Sequence, residues 1–243
     1  MRKGKLIYEI GIDKRGKFVE RPNRFVADIK LENDDNIVTC HVHDSGRIRE
    51  LLFKDNSIGI KKAKEGSIRK TQWDVISALS DDKEDILINS SYHRYISEKF
   101  LKDKDLSPFG ECNNVKAEVK YGDSRIDYLL EKCNEKIWVE VKGVSLSVNK
   151  KAMFPDAPST RAQKHLRELI KIKEEGDRAA VLLLVFRESN TFRPKWETDP
   201  KFSELFYEAM EKGVEIYPVQ FFLKDGKIMY EEKEIKILAK EER

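Results

Sequence analysis

Cysteine is scarce. Cys40, Cys112 and Cys133 are the only three in 243 residues, and no two stand in a Cys-x-x-Cys pair. An odd and scattered set favours neither a disulfide framework nor a cysteine zinc site, so a reducing compartment is expected. Long apolar runs are missing too: none approaches the ~18 residues that would cross a bilayer, and the basic N-terminus leads into no apolar segment. These absences predict a cytoplasmic protein without a membrane partner. Internal repeats and low-complexity tracts are also lacking. Net charge is small, +3, but it is the remainder of 47 basic and 44 acidic residues, which make up 37% of the chain. Bulk charge therefore gives no sign of a nucleic-acid partner, and local clustering has to do so. Abundant Lys and Glu with few Cys and Met fits a heat-adapted chain.

Two kinds of pattern divide the chain. Up to about residue 80 the periodicity is that of short strands. Phe25, Ala27, Ile29 and Leu31 alternate with Val26, Asp28 and Lys30. Val38, Cys40 and Val42 oppose Thr39, His41 and His43. Ile58–Ile60 and Trp73–Leu79 add two more runs. Polar turns and no helical period predict a small β-barrel, of which the oligonucleotide-binding fold is one version. An acidic run, Ser80–Asp85, interrupts this pattern, and a domain boundary is expected there, with residues 1–85 as the barrel and 86–243 as an α/β domain.

The second part opens with a helix. Tyr92, Tyr95, Ile96 and Phe100 share a stripe, with Asn89 or Ser90 available as cap. Strand-like runs follow at 115–120, 124–131 and 136–142, then a helix near 159–175, an apolar strand at 179–186, a helix near 202–212 closed by Gly213, and a strand at 214–223. The predicted class is α+β in two domains.

The candidate chemistry lies in the middle strands. In Ile137–Lys142 the aliphatic residues Ile137, Val139 and Val141 take one face, so Glu140 and Lys142 share the other. In the preceding strand Asp127 lies on the face opposite Ile126 and Tyr128, and antiparallel pairing would bring it beside Glu140. Two carboxylates and an ammonium suit Mg²⁺ or Mn²⁺ and phosphoryl chemistry. Charged residues alternating on a solvated strand face would give the same pattern, so the spacing alone leaves surface ion pairs open.

The pattern resembles the PD-(D/E)xK superfamily of restriction-endonuclease-like domains, with Asp127 and Glu140-Val-Lys142 on consecutive strands. Over nearly the whole chain, Arg24-Phe-Val-Ala-Asp28, Glu118-Val-Lys-Tyr-Gly122, Ser124-Arg-Ile-Asp127, Glu140-Val-Lys142, Phe154-Pro-Asp-Ala157 and Gln163-Lys-His-Leu-Arg-Glu-Leu169 resemble the sugar fermentation stimulation protein A family. The resemblance implies an oligonucleotide-binding barrel joined to a nuclease-like domain, DNA as partner, single- or double-stranded, and a role in regulating sugar-utilisation genes. It implies Asp127, Glu140, Lys142 and Gln163 as catalytic residues and Glu118, Asp127 and Glu140 as ligands of Mg²⁺ or Mn²⁺.

His41-Val-His-Asp-Ser-Gly46 departs from the Cys-Pro-Asn-Thr-Gly-like turn associated with the family. His165 is set aside, because two helical positions turn it about 200° from Gln163. Pro155-Asp156 follows Glu140 and is not taken as the metal-binding pair. Cys40, His41 and His43 are not read as zinc ligands, because strand alternation sends them to opposite faces. Lys61, Lys62, Lys64, Arg69 and Lys70, with Arg161 on the later helix, are the expected phosphate contacts. Two functions follow: a metal-dependent deoxyribonuclease, or a DNA-binding regulator that does not cut. Oligomeric state stays open, a homodimer included.

Overall fold

The computed structural model describes residues 2–34, 36–44, 46, 48–63, 66 and 69–242. They form two compact units, one of residues 1–92 with 222–230, the other of 93–221 with 231–243. Relative to the expected boundary at residue 85, the division carries 86–92 into the first unit and returns 222–230 to it. The latter pairing is long-range and leaves no local mark in the sequence.

The first unit is built from β1 (Lys5–Glu9), β2 (Lys14–Asn23), β3 (Val26–Leu31), β4 (Ile37–His41), β5 (Ser57–Lys62), β6 (Trp73–Leu79) and β7 (Asp85–Leu87). Strands pair in the order β4-β3-β2-β5-β6, and β6 closes the ring on β4 in parallel, with Cys40 against Trp73 and His41 against Asp74. A closed five-stranded barrel results, with no open edge within the ring. Inward positions are apolar: Phe18, Ala27, Ile29, Cys40, Ile58, Ile60, Val75 and Ile76 are buried. β2 carries register shifts after Phe18 and Glu20, which bend it so that it serves both β3 and β5. Gly16 permits this crossing, because a Cβ there would stand 2.5 Å from both the Ile29 side chain and the Lys30 carbonyl. After β4, the Arg21 guanidinium donates to the carbonyls of Asp44 and Gly46 at 2.8 and 2.7 Å and holds the unusual 41–46 loop, of which Ser45 lies outside the described residues.

The second unit begins with α1 (His93–Lys102), preceded by a 3₁₀ turn in which Asn89 accepts the Ser91 amide. Next come β8 (Asn114–Tyr121), β9 (Ser124–Lys132), β10 (Glu135–Val144), β11 (Ser147–Val148), β12 (Lys151–Phe154), α2 (Thr160–Glu174), β13 (Arg178–Val185), β14 (Thr191–Pro194) and α3 (Pro200–Glu211). β15 (Glu215–Lys224), β16 (Lys227–Glu231) and β17 (Lys236–Ile237) complete the chain. The main sheet of this unit runs β15-β13-β10-β9-β8, parallel from β15 to β10 and antiparallel from β10 to β8. α2 starts at the Ser159 cap, whose hydroxyl accepts the Ala162 amide, and α3 at Asp199, whose carboxylate accepts the Phe202 amide with Pro200 behind it. Leu166, Leu169, Ile170, Phe202 and Phe206 bury against Leu129, Trp138, Val181 and Leu183 of the sheet. No helix among the described residues is long and apolar enough to cross a membrane.

Candidate carboxylate site

β9 and β10 stay in ladder register down to Val139 against Tyr128, and the next step would set Glu140 against Asp127. There the strands part. The Val141 amide, freed from the ladder, donates 2.7 Å to Asp127 Oδ2. Asp127 is thereby fixed at the mouth of the divergence beside Glu140. On β8, Glu118 falls opposite Asp127 between the pairs Ala117–Tyr128 and Val119–Ile126, and its φ of 57° kinks the strand.

Glu140 is almost wholly buried, 2% exposed, on the same strand face as Trp138 and under α2. Its Oε1 accepts from Lys142 Nζ and from His165 Nδ1. A carboxylate only accepts, so His165 presents its Nδ1–H tautomer; Lys142 Nζ, 3.4 Å from that nitrogen, is its neighbour and not its partner. Glu140 Oε2 is buried with no hydrogen-bond partner. Burial works to raise the Glu140 pKa, but the His165 hydrogen bond and the Lys142 charge outweigh it, and the group ends below its ordinary value. Asp127 goes the other way. Burial first, and the Glu140 charge second, lift its carboxyl to about 6, with Glu118 adding a little and Lys142 and the Val141 amide opposing. Asp127, Glu140 and Lys142 thus lie within electrostatic reach of one another on one side of the sheet.

Two expected members are placed elsewhere. Gln163 is turned away from Glu140: its amide donates to both oxygens of Asp199, at 3.0 and 3.1 Å, and so braces the cap of α3. The helix residue that meets Glu140 is His165, two residues on. Both side chains are buried, and the 200° between them serves two partners at once. Glu118 pairs with Arg125 at 3.8 Å, with its side chain 46% exposed. Among the described residues no three His, Cys, Asp or Glu side chains are closed up around one metal-sized gap.

A further neighbour has no precedent in the strand pattern. Gly143 follows Lys142, and a Cβ at this position would stand 2.0 Å from the His93 ring. Only glycine lets His93 lie against the end of β10, where it stacks on Phe186 at 5.2 Å and burial pushes its pKa down to about 4. The Gly after Glu-Val-Lys was the available signal.

The profile of the sugar fermentation stimulation protein RE domain matches residues 91–227, and that of the SfsA N-terminal OB domain matches 19–89. The chain belongs to the sugar fermentation stimulation protein family. A homolog from Thermosipho melanesiensis is 42% identical over 232 residues, covering 96% of this chain and 97% of its own. One from Methanococcoides burtonii is 38% identical, covering 93% and 92%. Among solved structures, "Pyrococcus Furiosus SfsA in complex with Ca2+" superposes with a TM-score of 0.87 at 30% identity, covering 96% of this chain and 99% of that one.

The expected phosphate contacts split into groups. Lys61 Nζ donates to the Ile10 carbonyl and Arg69 clamps Asp74, so both are tied into the barrel. Lys62, Lys70 and Arg161 are exposed. Lys64 lies outside the described residues.

Proposed function

We propose that the chain binds DNA and hydrolyses its phosphodiester bonds at Asp127, Glu140 and Lys142, with Mg²⁺ or Mn²⁺ as cofactor. What carries the reading is the pairing of the unpartnered, buried Glu140 Oε2 with a second carboxylate, Asp127, close enough to raise its pKa. A buried acceptor without a donor is costly, and two adjacent acids leave more negative charge than Lys142 alone neutralises. An all-oxygen donor set of this sort suits a hard divalent cation, with Glu118 as an outer contributor. The Pyrococcus furiosus relative, described in complex with Ca²⁺, is in keeping with that.

Bound there, the cation would neutralise phosphate charge as a Lewis acid. The protein's own part is positional. Val141 N–H aims Asp127, and His165 holds Glu140 Oε1 so that Oε2 is presented. Lys142 Nζ donates to the phosphate oxygen on which charge develops as a water oxygen bonds to phosphorus and gives up a proton, the ester P–O bond breaks and the departing oxygen takes up a proton in exchange. Exposed Lys62, Lys70 and Arg161 would contribute salt-sensitive phosphate affinity.

The test is incubation of linear, circular and single-stranded DNA with the parent, Asp127→Ala and Lys142→Ala in Mg²⁺, Mn²⁺ or chelator. Metal-dependent cleavage lost in both variants is the expected result. Binding of equal salt dependence in all three with no cleavage in any would leave a DNA-binding regulator instead.

A further inference from the structure

The first unit holds a ring cluster that the carboxylate site does not involve. Phe25 lies in the turn between β2 and β3 and is 43% exposed, although a phenyl ring gains by burial. It stacks nearly parallel on His41, with 15° between planes and centroids 6.5 Å apart. His43 meets His41 edge-on at 4.4 Å, and the Arg24 guanidinium lies 4.7 Å over Phe25. The back of the cluster is fixed: Asp74 takes His43 Nε2 at 2.9 Å and Arg69 at 2.6 Å. Two exposed basic side chains lie near it, and the acidic Asp28, which accepts from the Thr39 hydroxyl at 2.8 Å, lies further along the face of His41. Arg24 is exposed, and Lys70, also exposed, follows Arg69.

We infer that Phe25, backed by His41 and flanked by Arg24, is a stacking platform for an unpaired nucleobase, so that the barrel takes single-stranded DNA. This rests on the DNA-binding reading above and supplies the strand type which that reading leaves open. In a duplex both faces of a base are covered by its neighbours, so a side-chain ring can stack on a base only where the strand is open. A solvent-facing aromatic pair suits a planar base, and the Arg24 guanidinium, which lies over the Phe25 ring and would swing from it to a phosphate as the base stacks, complements the backbone together with Lys70.

The test measures binding of the intact protein, in chelator to prevent cutting, to a labelled oligothymidylate of about 15 nucleotides and to a duplex of equal length, by fluorescence anisotropy. The parent is expected to favour the single strand. Phe25→Ala should weaken that binding about ten-fold and leave duplex binding unchanged. Phe25→Trp should restore it, with the new indole quenched by the oligonucleotide. Phe25→Ala binding like the parent, or losing single strand and duplex alike, overturns the platform while the cleavage assay with Lys142→Ala still decides the nuclease reading. A parent that binds neither DNA overturns both.

Discussion

Each unit contains a carboxylate gripped by a histidine and a basic side chain, and the two grips end differently. In the barrel, Asp74 receives His43 and one Arg69 nitrogen on Oδ1, and the other Arg69 nitrogen on Oδ2 at 2.6 Å. Burial works to raise its pKa, but His43 and Arg69 prevail and hold it at about 2. In the α/β unit, Glu140 receives both His165 and Lys142 on Oε1, and Oε2 is left bare beside Asp127. The planar fork of arginine covers two oxygens at once, whereas an ammonium is a point charge and covers one. The first arrangement is therefore a closed structural ion pair. The second keeps an acceptor and surplus negative charge in reserve.

The strongest way to break this contrast is Lys142→Arg. The fork should close over both Glu140 oxygens as Arg69 does over Asp74, and metal-dependent cleavage should fall by at least about 100-fold, nearly as far as in Lys142→Ala. Thermal unfolding of Lys142→Arg should match the parent's to within about 1 kcal/mol. Cleavage retained at more than about a tenth of the parent rate would show that the open oxygen does not matter.

Next in size is an opposition in pH dependence. Asp127 is raised to about 6, so the folded protein holds this proton more tightly than the unfolded chain does. Its favourable contribution is complete below about pH 4 and is lost as pH rises through 6, a change of about 2–3 kcal/mol in metal-free protein. Asp74, lowered to about 2, contributes with the opposite sign: fully above about pH 4, and lost as pH falls towards 2. Asp127→Asn should therefore stabilise metal-free protein at pH 7.5 and give no gain at pH 3.5, in chemical denaturation followed at both values. Equal effects at the two would refute the assigned shift.

Gln163→Ala comes third. Its amide braces Asp199, so the loss is expected in stability, about 1–2 kcal/mol, with the cleavage rate per folded molecule unchanged. Rates that drop without destabilisation would return Gln163 to the reacting centre.

That residue also marks how far the sequence reading carried. β9 and β10 were legible from the alternation of Ile126, Tyr128 and Leu130 and of Ile137, Val139 and Val141, and the two long helices from their apolar stripes, although β10 proves buried on both faces, Trp138 and Glu140 included. From this alone Glu140, Lys142 and Asp127 fell on a common face. β2, with Lys14, Arg15, Lys17, Glu20 and Arg21, was not legible, because its bulges break the period of two. β14 and β17 are four and two residues long and exist through distant partners, and β11 is a two-residue strand paired locally with β12, too short to show a period. The choice between Gln163 and His165 rested on sound angular geometry and a wrong premise, that a single target attracts the polar residues of α2. His165 stands three residues after buried Ala162 and four before buried Leu169, on the stripe turned toward the sheet, and that position was its signal.

The smallest expected effect lies at Arg69→Lys, the mirror of Lys142→Arg. An ammonium should keep one contact to Asp74 and release the other, so that the barrel pair becomes as open as the Glu140 pair. Arg69 and Asp74 are 28% and 18% exposed, so water can reach the freed oxygen and the cost near pH 7 should be about 1 kcal/mol or less. The informative change is in acid. With one donor gone the Asp74 pKa rises toward the unfolded value, so its stabilisation starts to fail at a higher pH as the solution is acidified. An acid-unfolding midpoint that moves up in Arg69→Lys, with DNA cleavage unaltered, would establish that the same three groups stabilise the barrel only because arginine closes both oxygens. A midpoint that stays in place would mean that His43 alone sets the Asp74 charge, and the contrast with Glu140 would then rest on burial and not on the choice of cation.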